Sequence, residues 1–236
     1  MSVWLKRLSY LAILGFPLSV LGTRLGLFHF RVGFTGLSYT VYLSVAVLVV
    51  GLIVAYIKRS SNPSDSKMAR NAALLCLLPI LGIGSQLMTA QSVPAIHNIT
   101  TDIDNPPLFA TIAGLRTEEH NPLAYDKEKM APLQQQAYPE VKTIVTTLSK
   151  KEAHDRAIAV AKELGWEIVD QNYFTGMIEA TETTLLWGFK DDIAIRVDGH
   201  GKDIAVDLRS VSRVGQSDLG ANAKRINKFI AAFNQD

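Results

Sequence analysis

Cysteine is all but missing from this chain. The single example, Cys76, excludes an intramolecular disulfide and sits in the apolar run "ALLCLLPI". Bulky leucines there take the places that a lipoprotein cleavage site gives to small residues, so Cys76 is expected to be a buried apolar side chain. Acid is scarce in the first 90 residues, where Asp65 stands against eight Lys and Arg, a balance of +7. Residues 91–236 carry sixteen Lys and Arg against twenty-one acids, or −5, so the near-neutral total of +2 conceals two unlike halves. A basic apolar half followed by an acidic polar half predicts a membrane anchor carrying a soluble domain. The acidic half lacks the positive field that neutralises phosphates, which argues against nucleic acid as a partner.

Charge is also absent from three long apolar stretches, at about 8–23, 37–57 and 71–90. A bilayer core of about 30 Å needs about 20 helical residues, which the second and third stretches supply. The first is short, but Arg7 and Arg24 at its ends can snorkel and lengthen it. It continues as "GTRLGLFHFRVGF", with no small-x-small cleavage site, so it is read as a retained helix rather than a signal peptide. Gln86 and Ser85 are placed to bond across helices, and Pro79 to kink the third. No Asp, Glu, Lys or Arg lies in mid-span to carry protons or ions. Lys6, Arg7, Lys58, Arg59, Lys67 and Arg70 fall on one side of these spans, against Arg24 and Arg31 on the other. That bias predicts a multi-pass protein of a bacterial inner membrane, with the N-terminus cytoplasmic and the C-terminal domain periplasmic.

Residues 91–148 hold Pro94, Pro106, Pro107, Pro122, Pro132 and Pro139, which predicts an extended arm with short helical pieces. Asp102 to Asn105 resembles part of a calcium loop but lacks its glycine and distant glutamate, so a turn before Pro106 is expected. Asn98-Ile99-Thr100 matches a glycosylation sequon, which has meaning only in a eukaryotic secretory pathway.

From Ser149 the signals sharpen. Ser149 and Glu152 form a capping box, Ala153, Ala157, Val160, Ala161 and Leu164 follow at helical spacing, and Gly165 supplies the stop. Strands are predicted at Trp166–Asp170, Phe174–Thr183, Asp192–Asp198 and Asp203–Val211, the last two joined by a hairpin turn through Gly199, His200, Gly201 and Lys202. If Asp198 pairs with Asp203, Asp192 faces Arg209 and Arg196 lies diagonal to Asp207, as on a solvated sheet face. A last helix begins near Ser217 or Asp218, with a stripe of Leu219, Ala223, Ile226, Ile230 and Phe233. The predicted fold for 149–236 is a two-layer α+β domain of helix, four-stranded antiparallel sheet and helix, with both helices on one face. It is preceded by the arm at 91–148 and an anchor of three transmembrane helices within 1–90.

Catalytic templates are missing. The soluble half has no H-x-H or H-x-x-x-H pair, no second cysteine and no G-x-S-x-G elbow, so no metal ligand, cofactor or catalytic residue is indicated. The stretch "SRVGQSDLGANAKRI" is either a strand-to-helix joint capped by Asp218 or an edge that holds an anion at a helix N-terminus. On the second reading Arg196, Arg209, Arg213, Ser217, Asp218 and Asn222 are the candidate ligand-binding residues. Two functions follow: a module that binds an envelope component, protein or lipid, beside the bilayer, or an enzyme using Asp192 and Asp218 with the arginines.

"HNITTDIDNPPLF" after three apolar stretches, then "PLAYD", "KELGWEIV", "ATETTLLWGFKDDIAIRV" and "RSVSRVGQSDLGANAKRI", resemble the bacterial family called domain of unknown function 1499. The resemblance covers nearly all of residues 96–233, and the membrane arrangement resembles that of many members. It implies little about activity, and no catalytic residue is carried over from it.

Overall fold

The computed structural model describes residues 1–200 and 203–235, with His200 by its backbone only. Two compact units divide the chain: Met1–Thr89 with Leu186–Gly188, and Ala90–Leu185 with Phe189–Asp236.

The first unit is helical: α1 (Ser2–Arg24), α2 (Phe30–Lys58), α3 (Pro63–Leu75) and α4 (Leu77–Ser92), the last of which runs past the unit's edge. Three stretches, Ser2–Arg24, Phe30–Lys58 and Pro63–Ser92, are long and apolar enough to cross a membrane. Each is longer than its charge-free core because Lys and Arg sit inside the helix ends. The third is interrupted at Cys76, where Pro79 has no N–H to give the carbonyl four residues back, that of Leu75. Small side chains let these helices approach. A Cβ added at Gly51 would lie 2.9 Å from the Ala69 carbonyl oxygen, and Ala69, Ala72 and Cys76 are fully buried beside Val47 and Val54. Leu11, Leu14, Leu18, Leu52 and Leu81 point outward and are exposed.

The second unit is built on six antiparallel strands rather than four. They are β1 (Asn98–Thr100), β2 (Ile144–Thr146), β3 (Glu167–Asn172), β4 (Met177–Thr183), β5 (Lys190–His200) and β6 (Asp203–Ser212), in the order β1-β6-β5-β4-β3 with β2 also on β6. The two extra strands come from the proline-rich segment, where three-residue runs are too short for any alternation to be seen. β1 pairs with residues 209–211 of β6 and β2 with 204–206, so both share its free edge. Between them lie a 3₁₀ turn (Ile112–Leu115) and α5 (Lys127–Ala137). Gln134 of α5 extends the pairing: its side-chain oxygen accepts from the Thr100 N–H at 3.1 Å, and its amide donates to the Thr100 carbonyl at 2.6 Å.

Helix α6 (Lys150–Glu163) starts with the expected capping box, Ser149 accepting from the Glu152 N–H and Glu152 from the Ser149 N–H, and ends before Gly165 at φ +80°. Helix α7 (Ala221–Phe233) starts later than expected. Leu219, at φ 55° and exposed, is not part of its stripe, which runs through Ala223, Ile226, Phe229 and Phe233 with Ile230 partly buried against the same core. Both helices cover one sheet face, where Ile178, Ala180, Ile193, Ile195, Val197, Val206 and Leu208 form the core. Trp166 stacks on Phe229, ring centroids 5.5 Å apart. Phe174, expected at the start of a strand, is 90% exposed in the β3–β4 turn.

The β5–β6 register differs by two residues from the expected one. His200 lies opposite Asp203, so Asp192 faces Val211, and Arg196 faces Asp207 directly. Of the predicted hairpin turn, Gly201 and Lys202 lie outside the described residues.

Phe229 is fully buried, so Phe229→Ala should cost about 3–5 kcal/mol. Phe174→Ala should stay within about 0.5 kcal/mol, as surface substitutions do. Urea unfolding of the detergent-solubilised full chain, followed through the Trp166 signal, checks both.

Candidate functional site

Alternation along β4, β5 and β6 sends Glu179, Thr181, Asp192, Arg196, Asp207 and Arg209 to the face away from α6 and α7. A solvated face was expected. Instead Glu179, Asp192, Asp207 and Arg209 are each at most 3% exposed. The arm covers them, and it is fastened there by polar bonds.

Glu179 takes three backbone donors from the start of the 3₁₀ turn: Ala110 at 2.6 Å, Thr111 at 3.1 Å and Ile112 at 2.7 Å. These N–H groups have no partner within the turn, so a carboxylate fits there. Arg196 donates to Asp207 at 2.8 Å and to Asp102 at 2.9 Å, with a further bond to the Asn105 carbonyl. Asp102 also accepts from the Asp104 and Asn105 N–H groups, which forms the turn expected before Pro106. Arg209 has only neutral contacts among the bonds and rings described for it: Asn98 Oδ1 at 3.0 Å, the Pro107 carbonyl at 3.2 Å, the Leu123 carbonyl, and the rings of Phe109 and Tyr125. Burial pushes its pKa down to about 10, which leaves it charged at neutral pH. The sequon residue Asn98, which holds Arg209, is itself fully buried.

Asp192 lies between two arginines. Arg213 reaches it through two bonds, at 2.8 and 2.9 Å, and Arg116 through one at 2.8 Å. Burial alone raises the Asp192 pKa, but the bonds from Arg213 and Thr181, with the nearby guanidinium charges, outweigh it and hold the value below the ordinary 3.8. Asp191, its neighbour, points to the opposite face and is equally buried, against Arg225 at 2.6 Å. Arg225 also bonds Glu182, Ser210 and Asn222, so a second buried charge cluster sits under α7.

The joint from Ser212 to Ile226 is a turn closed by its own side chains. Asp218 accepts from the Gly220 N–H at 2.8 Å and the Asn222 N–H at 2.9 Å, two of the free donors at the start of α7. Ser217 Oγ accepts from the Leu219 N–H. Asn222, fully buried, donates to the His97 carbonyl and to Ser212 Oγ and accepts from Ser210 Oγ. Burial pushes the Asp218 pKa up, opposed by those backbone donors. Neither Arg209 nor Arg213 converges on this turn; each is held by the groups named above. The six candidate residues therefore fall into four separate clusters, with only Ser217, Asp218 and Asn222 at the joint.

Arg196 lines a cleft. Its volume is about 380 Å³, with Pro106, Leu108 and Ala110 on the arm side and Asp170, Met177 and Glu179 on the strand side. Leu108 stands 73% exposed at this cleft. Among the described residues no group of His, Cys, Asp and Glu has the arrangement to hold a metal ion.

Several residues that matter here give little sign in the sequence. Arg225 stands next to Ile226, inside the buried stripe of α7, where a charge demands a buried partner; "TET" and "DD" supply it. Arg116, Glu179 and Gln134 carry no such cue, because each meets its partner only when the arm folds over the sheet.

These features define a class: a chain with three helices long and apolar enough to cross a membrane, and an α+β domain whose sheet is covered on both faces. The chain belongs to the family described as Protein of unknown function (DUF1499), whose model matches residues 98–233. The match runs from the first residue of β1 to the last of α7, so the arm is part of the family's domain. Comparison with curated proteins gives no match.

Asp192→Asn should destabilise the fold by about 3–5 kcal/mol at pH 7, because two buried arginines lose their counter-charge. The Asp192 pKa is depressed on folding, so the unfolded chain takes up the proton first. The wild-type advantage should therefore be whole above the ordinary 3.8 and shrink as pH falls below it. Urea midpoints of both proteins, measured from pH 7 downward, test the sign. Asp218→Ala should cost about 1 kcal/mol as a lost cap; calorimetry showing no change would refute the capping role.

Proposed function

We propose that the protein is a membrane-anchored module of the cell envelope that binds an envelope component, protein or lipid, without catalysing a reaction on it. The three apolar helices are the anchor, and the basic residues at their ends favour a bacterial inner membrane, a cytoplasmic N-terminus and a periplasmic domain. The observation that carries the binding role is how the charged side chains are used. Asp191, Asp192, Asp207, Arg209, Arg213 and Arg225 all bond within the fold, where they hold the arm and α7 to the sheet. A carboxylate held ionised between two arginines, as Asp192 is, has neither the exposure nor the proton affinity for acid–base work. What faces outward instead is a cleft whose wall combines apolar Pro106, Leu108, Ala110 and Met177 with the charged Arg196, Asp170 and Glu179.

Native mass spectrometry of the full chain, gently extracted from its own membrane, should show a reproducible added mass. Leu108→Asp, an exposed substitution in the cleft, should lose that mass at least tenfold while the melting temperature stays unchanged. A bare protein in both preparations would count against stable binding, and a mass kept by the variant would move the site elsewhere.

A further inference from the structure

Side by side at the β3–β4 turn, Tyr173 and Phe174 present two aromatic rings, 44% and 90% exposed, with centroids 6.0 Å apart. A lone exposed ring means little; this pair is held in place. Asn172 Oδ1 accepts from the Phe174 N–H at 3.0 Å and the Thr175 N–H at 3.2 Å, and Lys150 Nζ donates to the Phe174 carbonyl at 3.4 Å. Gly176 closes the turn at φ +72°, where a side chain would collide with the Val197 carbonyl. Tyr173 is held a second time by His154 of α6, whose ring meets it edge-on at 5.7 Å and 87°. His154 is itself 4% exposed, so its ring is a fixed support.

Beside the pair lies a cleft of about 380 Å³ between α6 and β3, lined by Lys151, His154, Asp155, Ile158, Gln171 and Tyr173. It opens on the helix side of the sheet, whereas the cleft at Leu108 opens on the arm side. Its charges cancel. Lys151 bonds Asp155 at 2.6 Å, and burial pushes the His154 pKa below its ordinary value, which leaves that ring neutral at pH 7. A charged ligand would find no unpaired counter-charge here. An acyl chain would need an unbroken apolar wall, and here Ile158 and the rings alternate with Lys151, Asp155 and Gln171. Strand addition at the open edge of β3 is blocked too. A bulge falls between Ile168 and Asp170, and the Asp170 carboxylate takes the Gln171 N–H at 2.8 Å. What the site offers is aromatic surface beside neutral donors and acceptors. The Gln171 side-chain amide and the Tyr173 hydroxyl have no hydrogen bond among the described residues. A sugar ring is divided in the same way, with C–H groups on its flat faces and hydroxyls that donate and accept around its rim.

We infer that the Tyr173–Phe174 turn and the cleft beside it bind a carbohydrate chain, whose sugar rings lay their C–H faces on the two aromatic rings while their hydroxyls bond Gln171, Asp155 and Lys151. The inference goes beyond the reading above and does not rest on the cleft at Leu108.

The test uses fluorescein-labelled chitotetraose, cellotetraose and maltotetraose as probes. Fluorescence polarisation is read on the full chain in lauryldimethylamine oxide, a detergent without a sugar headgroup. At least one probe should bind saturably. Phe174→Ala and Phe174→Leu should each weaken that binding at least fivefold, whereas Phe174→Tyr, which keeps the ring, should hold it within twofold. Tyr173→Ala should also weaken it at least fivefold. Should that variant melt below its parent, Gln171→Ala takes its place, with a loss of at least threefold. No saturable binding of any of the three probes, or binding that Phe174→Ala leaves unchanged, would overturn the inference. Binding kept in full by Phe174→Leu would overturn it as well, because any apolar side chain would then serve and stacking on a sugar face would not be the contact.

Discussion

The sheet-containing unit depends on burying a charged sheet face. One face of β4, β5 and β6 is an ordinary aliphatic core under two helices. The other carries carboxylates and guanidinium groups and is nonetheless buried, because residues 98–126 lie across it. Buried charge is tolerable only when every donor and acceptor finds a partner. The arm supplies them: three backbone N–H groups for Glu179, carbonyls of Pro107 and Leu123 for Arg209, Arg116 for Asp192 and Asp102 for Arg196. Without the arm these groups would be unsatisfied, and the arm is held both by them and by its own buried Ile96, Ile99, Met130, Val141 and Ile144.

This mutual dependence explains why a proline-rich segment with three-residue strands is ordered at all. Its prolines remove six backbone donors, and short strands form few ladder bonds. Side chains close the gap, as Gln134 does when it pairs with the Thr100 backbone in place of a neighbouring strand. The same logic assigns the arginines. Arg is suited to such work because its fork meets several acceptors in fixed directions and stays ionised when buried. Residues that look in sequence like a binding cluster are thus largely the fastening of the fold. The openings that remain lie at the borders of the arm and at the ends of the sheet.

The division of the chain follows from the same physics. Apolar helices meet one another through small residues such as Gly51 and Ala69 and leave their leucines outward. The sheet domain instead buries aliphatic and charged layers on opposite faces. One unit satisfies its backbone polar groups within apolar helices, and the other satisfies buried charges by pairing them.

The sequence alone determined the features that depend on neighbours along the chain. These include the apolar stretches, the capping box at Ser149, the left-handed stop at Gly165, and the alternation that buries Ile193, Ile195, Val206 and Leu208. Each rests on contacts within a few residues or on a fixed period of two or 3.6. Tertiary structure decided the rest. The β5–β6 register put Arg196 opposite Asp207 instead of diagonal to it, and a shift of two keeps the same face, so no pattern could reveal it. The arm's coverage of the charged face, the two strands it adds to the sheet, and the separation of Arg196, Arg209 and Arg213 into different clusters depend on pairings between elements that lie apart in the chain. Such pairings are set by loop closure and by which buried charge finds which partner, and those are properties of the folded whole.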